Sequence, residues 1–78
     1  MRFVREPTPE EQAELERMTR QEIGRVAMRA QMILLSARRY TAPQIAEIQD
    51  TSRVTVYTWL DRFDEEGPAG LYDRPRSG

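Results

Sequence analysis

The sequence predicts an all-α fold, a small bundle of about four helices followed by an irregular basic tail. Three observations predict it. Apolar residues recur at helical spacing, most clearly in Ile23, Ala27, Ala30, Leu34 and Ala37. Thr8, Thr41 and Ser52 stand where helices should start, and the two threonines are followed by Pro and by Glu11 or Gln44 at capping-box spacing. Gly67-Pro68 then ends the last periodic segment, because Gly suits a helix C-terminus and Pro cannot continue a helix.

The chain has 78 residues, enough for one domain, and 38% of them are hydrophobic, enough for a thin core. There is no cysteine for a disulfide or thiolate site, and with no histidine either, a zinc site is not expected. Helix packing or a partner chain must hold the fold. No apolar run approaches the ~20 residues that span a membrane. The start, "MRFVREPTPEE", lacks the apolar segment of a signal peptide, so a cytoplasmic location is expected. Residues 1–7 read as an N-terminal arm, 8–67 as the helical domain and 68–78 as an extended tail.

The first helix should run from about Pro9 to Met18. Its apolar residues Ala13, Leu15 and Met18 do not form one stripe, which predicts a surface position or contact with a partner. The second should run from about Arg20 to Arg39, with Val26 and Ile33 widening its apolar face. Met28, Met32 and Leu35 add a further apolar stripe, either part of a central buried helix or the seam of a homodimer. The third should be short, about Ala42 to Gln49, with Ile45 and Ile48 as its apolar residues and the small Ala46 where another helix could approach closely. The fourth should run from Arg53 to Glu66, capped by Ser52.

The third and fourth helices, joined by a tight turn, have the spacing of a helix-turn-helix. Ala46 is the small residue and Asp50 stands where the turn needs a left-handed backbone. Val56 and Trp59 follow at inward positions with Leu60 and Phe63. In this geometry the second helix of the pair lies in the DNA major groove and its N-terminal half meets base edges. The outward side carries Arg53, Val54, Tyr57, Thr58 and, further along, Arg62; Ser52 and Thr55 lie at the phosphate-facing start. Arg53 could fork onto guanine or onto phosphate, and Thr55 and Thr58 could donate to phosphate or touch a thymine methyl group.

Charge restricts how DNA could be bound. All 12 basic residues are Arg, and net charge is −1, which argues against a blanket nucleic-acid coat. Glu6, Glu10, Glu11, Glu14 and Glu16 form one acidic stretch, and Asp61, Asp64, Glu65 and Glu66 another. Arg20, Arg25, Arg29, Arg38 and Arg39 lie between them, and Arg74 and Arg76 follow. Only a localised basic face could contact DNA. An enzyme is not expected, since there is no His or Cys and the carboxylates fall in exposed runs. No cofactor or metal is expected.

From Arg29 to Gly78 the chain resembles the N-terminal region of transposases from a bacterial insertion-sequence family related to the mariner-like elements. The motifs are Arg29-Ala30-Gln31, Tyr40-Thr41, Ile45-Ala46-Glu47, Ser52-Arg53 with Thr55-Val56-Tyr57 and Trp59, Gly70-Leu71 and Asp73-Arg74-Pro75-Arg76-Ser77-Gly78. The resemblance implies a homeodomain-like or winged-helix-like domain that binds double-stranded DNA at terminal inverted repeats, ahead of a catalytic domain that these residues do not supply. It also implies that Arg74 and Arg76 enter a minor groove, which suits two Arg held extended by Pro75. Where that family usually has Leu-Gly-Val, this chain has Gln49-Asp50-Thr51, so either the seam is polar or the turn is reshaped. A small transcriptional regulator, or a helical dimerisation module with little DNA affinity, are the alternatives.

Overall fold

A computed structural model describes residues 2–73. It contains α1 (Pro9–Gln21), α2 (Arg25–Ala37), α3 (Ala42–Ile48), α4 (Arg53–Glu66) and a closing 3-10 turn (Gly67–Leu71). No strand occurs among the described residues. α1 runs against α2, α3 against α4, and α2 touches every other helix. The core joins Leu15 and Met18 of α1, Ala30, Met32 and Ile33 of α2, Ala42, Ile45 and Ala46 of α3, and Val56, Leu60 and Phe63 of α4.

The helix starts form as the sequence predicts. Thr8 and Thr41 each close a full capping box with Glu11 and Gln44, and Ser52 accepts a hydrogen bond from the Thr55 amide. The boundary between α1 and α2 differs. α1 extends to Gln21 and α2 begins only at Arg25, ending at Ala37. Gly24 causes the break: its φ of 67° is a left-handed conformation, easy for Gly, and it turns the chain out of one helix and into the next. Ile23 therefore lies in the connection and is 92% exposed, not on the inner face of a helix.

α1 is not a surface helix. Leu15 and Met18, three residues apart, share one face and are fully buried. Of the stripe Met28, Met32 and Leu35, Met32 is buried in the core, Leu35 is half-buried and Met28 is exposed. On α3 the inward residues are Ala42, Ile45, Ala46 and Gln49, the i, i+3, i+4, i+7 pattern of one helical face. Ile48, the other apolar residue of this helix, falls off that face and is 56% exposed.

Both α2 and α3 end in the same hydrogen-bond pattern. After α2, the amides of Tyr40 and Arg39 bond to the carbonyls of Leu35 and Ser36; after α3, those of Thr51 and Asp50 bond to Ala46 and Glu47. These are Schellman motifs, with Arg39 and Asp50 in the left-handed position. The turn of the helix-turn-helix thus keeps its shape, and the seam is polar. Gln49 is buried, and its side-chain amide donates to the Met28 carbonyl at 3.0 Å, tying the end of α3 to α2.

Both flanking segments join the body. The Val4 side chain is buried and its amide donates to the buried Ser36 hydroxyl at 2.8 Å. Residues 67–71, expected to be irregular, form the 3-10 turn, which buries Leu71 completely.

Candidate nucleic-acid interface

α4 sorts its side chains onto two sides. Val56, Leu60 and Phe63 are buried, whereas Arg53, Val54, Tyr57 and Thr58 lie on the exposed side, with Val54 74% exposed. The spacing i, i+1, i+4, i+5 makes them one contiguous patch on the N-terminal half of the helix. Arg53 forms no ion pair among the described residues, so its guanidinium is available to a partner. The threonine hydroxyls are less open. Thr58 donates to the Val54 carbonyl at 2.9 Å, leaving its methyl group and an acceptor lone pair outward. The Ser52 and Thr55 hydroxyls lie 3.0 Å apart within the helix cap.

Two other predicted residues behave differently. Arg62 is half-buried: it donates to the Gly70 carbonyl at 3.3 Å, and its guanidinium lies 5.3 Å from the Trp59 ring centroid. It faces the closing turn and not the open patch. Arg74 and Arg76 lie outside the described residues. Trp59, expected to be inward, is half-buried, with the Arg29 guanidinium over its ring at 3.9 Å.

The acidic residues beyond the patch are held by the arm. Arg2 pairs with Asp61 at 2.7 Å and with Asp64 at 2.8 Å, and the Arg5 amide donates to Asp64 at 3.0 Å. This offsets negative charge that would oppose a polyanion along the same helix. Nothing in the linear sequence marks Arg25 as a site residue. The fold places it with Thr51 and Thr55 along a shallow groove between α2 and the start of α4, also lined by Met28, Arg29, Met32 and Trp59. Like Arg53, it forms no ion pair among the described residues.

A short capped helix, a four-residue connection (residues 49–52) and a second helix with an open N-terminal face meet the geometry of a DNA reader. A family model described as a helix-turn-helix domain matches residues 28–78, about two-thirds of the chain. The chain belongs to the helix-turn-helix domain family. No curated protein and no solved structure matches it. Membership in this helix-turn-helix family implies double-stranded DNA as the partner. None of the helices of the described residues is long and apolar enough to cross a membrane.

Proposed function

We propose that this helix-turn-helix domain binds double-stranded DNA sequence-specifically with α4 in the major groove, and that its target is the terminal inverted repeat of a mobile element whose transposase carries it. The observation that carries the binding mode is the open patch of α4. It offers one uncommitted guanidinium at Arg53, an apolar contact at Val54, a phenol at Tyr57 and a methyl group at Thr58. Arg is the residue that discriminates guanine by a bidentate bond, and apolar groups read the thymine methyl. Arg25, beside Thr51 and Thr55, supplies a backbone contact at the same end of α4. The transposase assignment is supported by the motif set from Arg29-Ala30-Gln31 to Asp73-Arg74-Pro75-Arg76. In this role the domain contributes recognition, with chemistry supplied elsewhere in the parent protein.

A mobility-shift titration of inverted-repeat duplex against random duplex at physiological salt tests the reading. Preferential binding that weakens steeply with salt is expected, and equal binding to both duplexes refutes it. Arg53→Ala should cost about 1–3 kcal/mol and relax specificity at one base pair, whereas Arg25→Ala should weaken binding evenly across sequences.

A further inference from the structure

The open row of α4 does not stop at Thr58. Val54, Tyr57, Thr58 and Asp61 stand at i, i+3, i+4 and i+7, so they share one helical face. Asp61 is exposed and lies one turn beyond Tyr57 and Thr58. The row thus ends on a carboxylate, a group that accepts hydrogen bonds and donates none. It is not left bare. Arg2 Nη2 lies 2.7 Å from Asp61 Oδ1 and 2.8 Å from Asp64 Oδ2. Arg2 is in turn held by the residues that follow it. Phe3 lies against the Arg39 guanidinium, 5.0 Å from its ring centroid, and Val4 is buried with its amide on the Ser36 hydroxyl. The Arg5 amide donates to Asp64 and the Arg5 guanidinium to Glu11. The arm therefore delivers a fixed cation to the end of the row.

A neutral residue at position 61 would spare this face a negative charge beside a polyanion. The chain instead keeps the carboxylate and offsets its charge from the opposite end of the sequence. What survives the offset is acceptor capacity. An ionised carboxylate has about four acceptor positions, and Arg2 approaches one oxygen of Asp61. We propose that Asp61 is a specificity-determining residue that accepts a hydrogen bond from the N4 amino group of a cytosine in the major groove, and that Arg2 is the positioning residue that holds its carboxylate there. The inference rests on the DNA-binding role proposed above. Cytosine is the base that fits, because its N4 donor has an acceptor on one side only. The adenine amino group lies between N7 and thymine O4, and both repel a carboxylate. Asp61 is just over two helical turns beyond Arg53, about 12 Å along the axis. The cytosine therefore falls within about four base pairs of the base that Arg53 contacts.

Enrichment of duplexes from a random library at physiological salt, followed by titration of single-base variants of the enriched site, gives the test. The unaltered protein should select a cytosine whose replacement weakens binding about tenfold or more. Asp61→Ala, a change at a largely exposed position to the best helix former, should accept every base there and leave the other positions as they were. Asp61→Asn should move the preference from cytosine to adenine, whose N6 and N7 match an amide. If Asp61 acts only as a charge, both variants bind every duplex more tightly and select the original site, and the proposal is overturned. It is also overturned if the position relaxed by Asp61→Ala carries any base but cytosine.

Arg2→Ala separates positioning from contact. It should reduce the cytosine preference at that same position and at no other, which a general loss of stability would not do. Once Asp61 is Ala, it should change no base preference at all. An altered preference in the Asp61→Ala background means that Arg2 touches a base itself, and overturns its positioning role. The two levels of the argument fail differently. A protein that enriches a site unaffected by either change at Asp61 keeps its DNA-binding role and loses this inference alone. An unaltered protein that enriches no duplex refutes the DNA-binding role, and this inference with it.

Discussion

At residue 50 the backbone has a φ of 54°, and the residue there is Asp, exposed and outside every ion pair formed by the described residues. The left-handed region costs an ordinary L-residue roughly 1–2 kcal/mol, Asp somewhat less, and Gly almost nothing. Asp50→Gly should therefore raise stability by about 0.5–1 kcal/mol, the strain relief being partly offset by the greater freedom of Gly in the unfolded chain. Urea unfolding should show a higher midpoint with an unchanged slope. A lower midpoint would mean that the Asp50 side chain stabilises the turn. The left-handed position of residue 50 was legible from its spacing after Ala46. The solution at Gln49 was not, because its partner, the Met28 carbonyl, lies 21 residues away on another helix. The outward placement of Arg53, Val54, Tyr57 and Thr58 was likewise legible from helical period alone. The turning of Arg62 towards Gly70 was not, since it depends on where the residues after α4 fold.

The first turn of α1 shows how one residue can serve several elements. Glu11 closes the capping box by accepting from the Thr8 amide at 3.0 Å, and it takes both Nη atoms of Arg5 at 2.7 and 2.8 Å. It also lies against the end of α4, where a Cβ on Gly67 would come within 2.9 Å of its carboxylate. The Arg5 bonds foremost, with the Thr8 amide next, hold the Glu11 carboxyl down at about 2, against 4.5 for an ordinary Glu. A carboxyl depressed in the folded state stabilises it above its unfolded value, and that contribution disappears as pH falls. The stabilisation is complete above pH 4.5 and is lost between there and about pH 2. Glu11→Gln should lower stability at pH 7 by about 1 kcal/mol, a modest figure because Arg5 is partly exposed. The variant should also lose less stability than the unaltered protein between pH 5 and about 2.5, measured by urea midpoints across that range. Parallel pH profiles would show that Arg5 and Glu11 do not remain paired in solution. The capping box was readable from Thr8-Pro9-Glu10-Glu11; the Arg5 pairing was not, because the arm carries no periodicity that fixes its path.

Across the molecule, the family match and the folded unit do not have the same limits. The match begins at residue 28 and so omits the arm, α1 and the first turn of α2. The omitted part supplies Val4, Leu15 and Met18 to the core, each at most 3% exposed. Removing it would uncover the face of α2 against which α1 packs, and would leave the Ser36 hydroxyl without the Val4 amide. It would also take away Arg17, which donates to the Tyr72 hydroxyl at 3.2 Å, and Arg2, which neutralises Asp61 and Asp64. Burying a side chain the size of Leu, Met or Val is worth about 1.5–3 kcal/mol, and a domain this small has a total stability of only about 5–15 kcal/mol. Loss of three such residues is therefore enough to consume most of it. The overall class was legible because caps and helical period are local signals. The contribution of α1 was not, because two buried residues in a mostly polar helix make a weak pattern until α2 is placed against them. A fragment of residues 28–78 should show little cooperative unfolding by circular dichroism, while residues 2–78 should unfold in one transition. Adding a separate peptide of residues 2–27 should restore helicity to the fragment in proportion to its concentration. A fragment that unfolds cooperatively by itself would show that α3, α4 and the closing turn form a sufficient core, and that the arm and α1 are an addition to it.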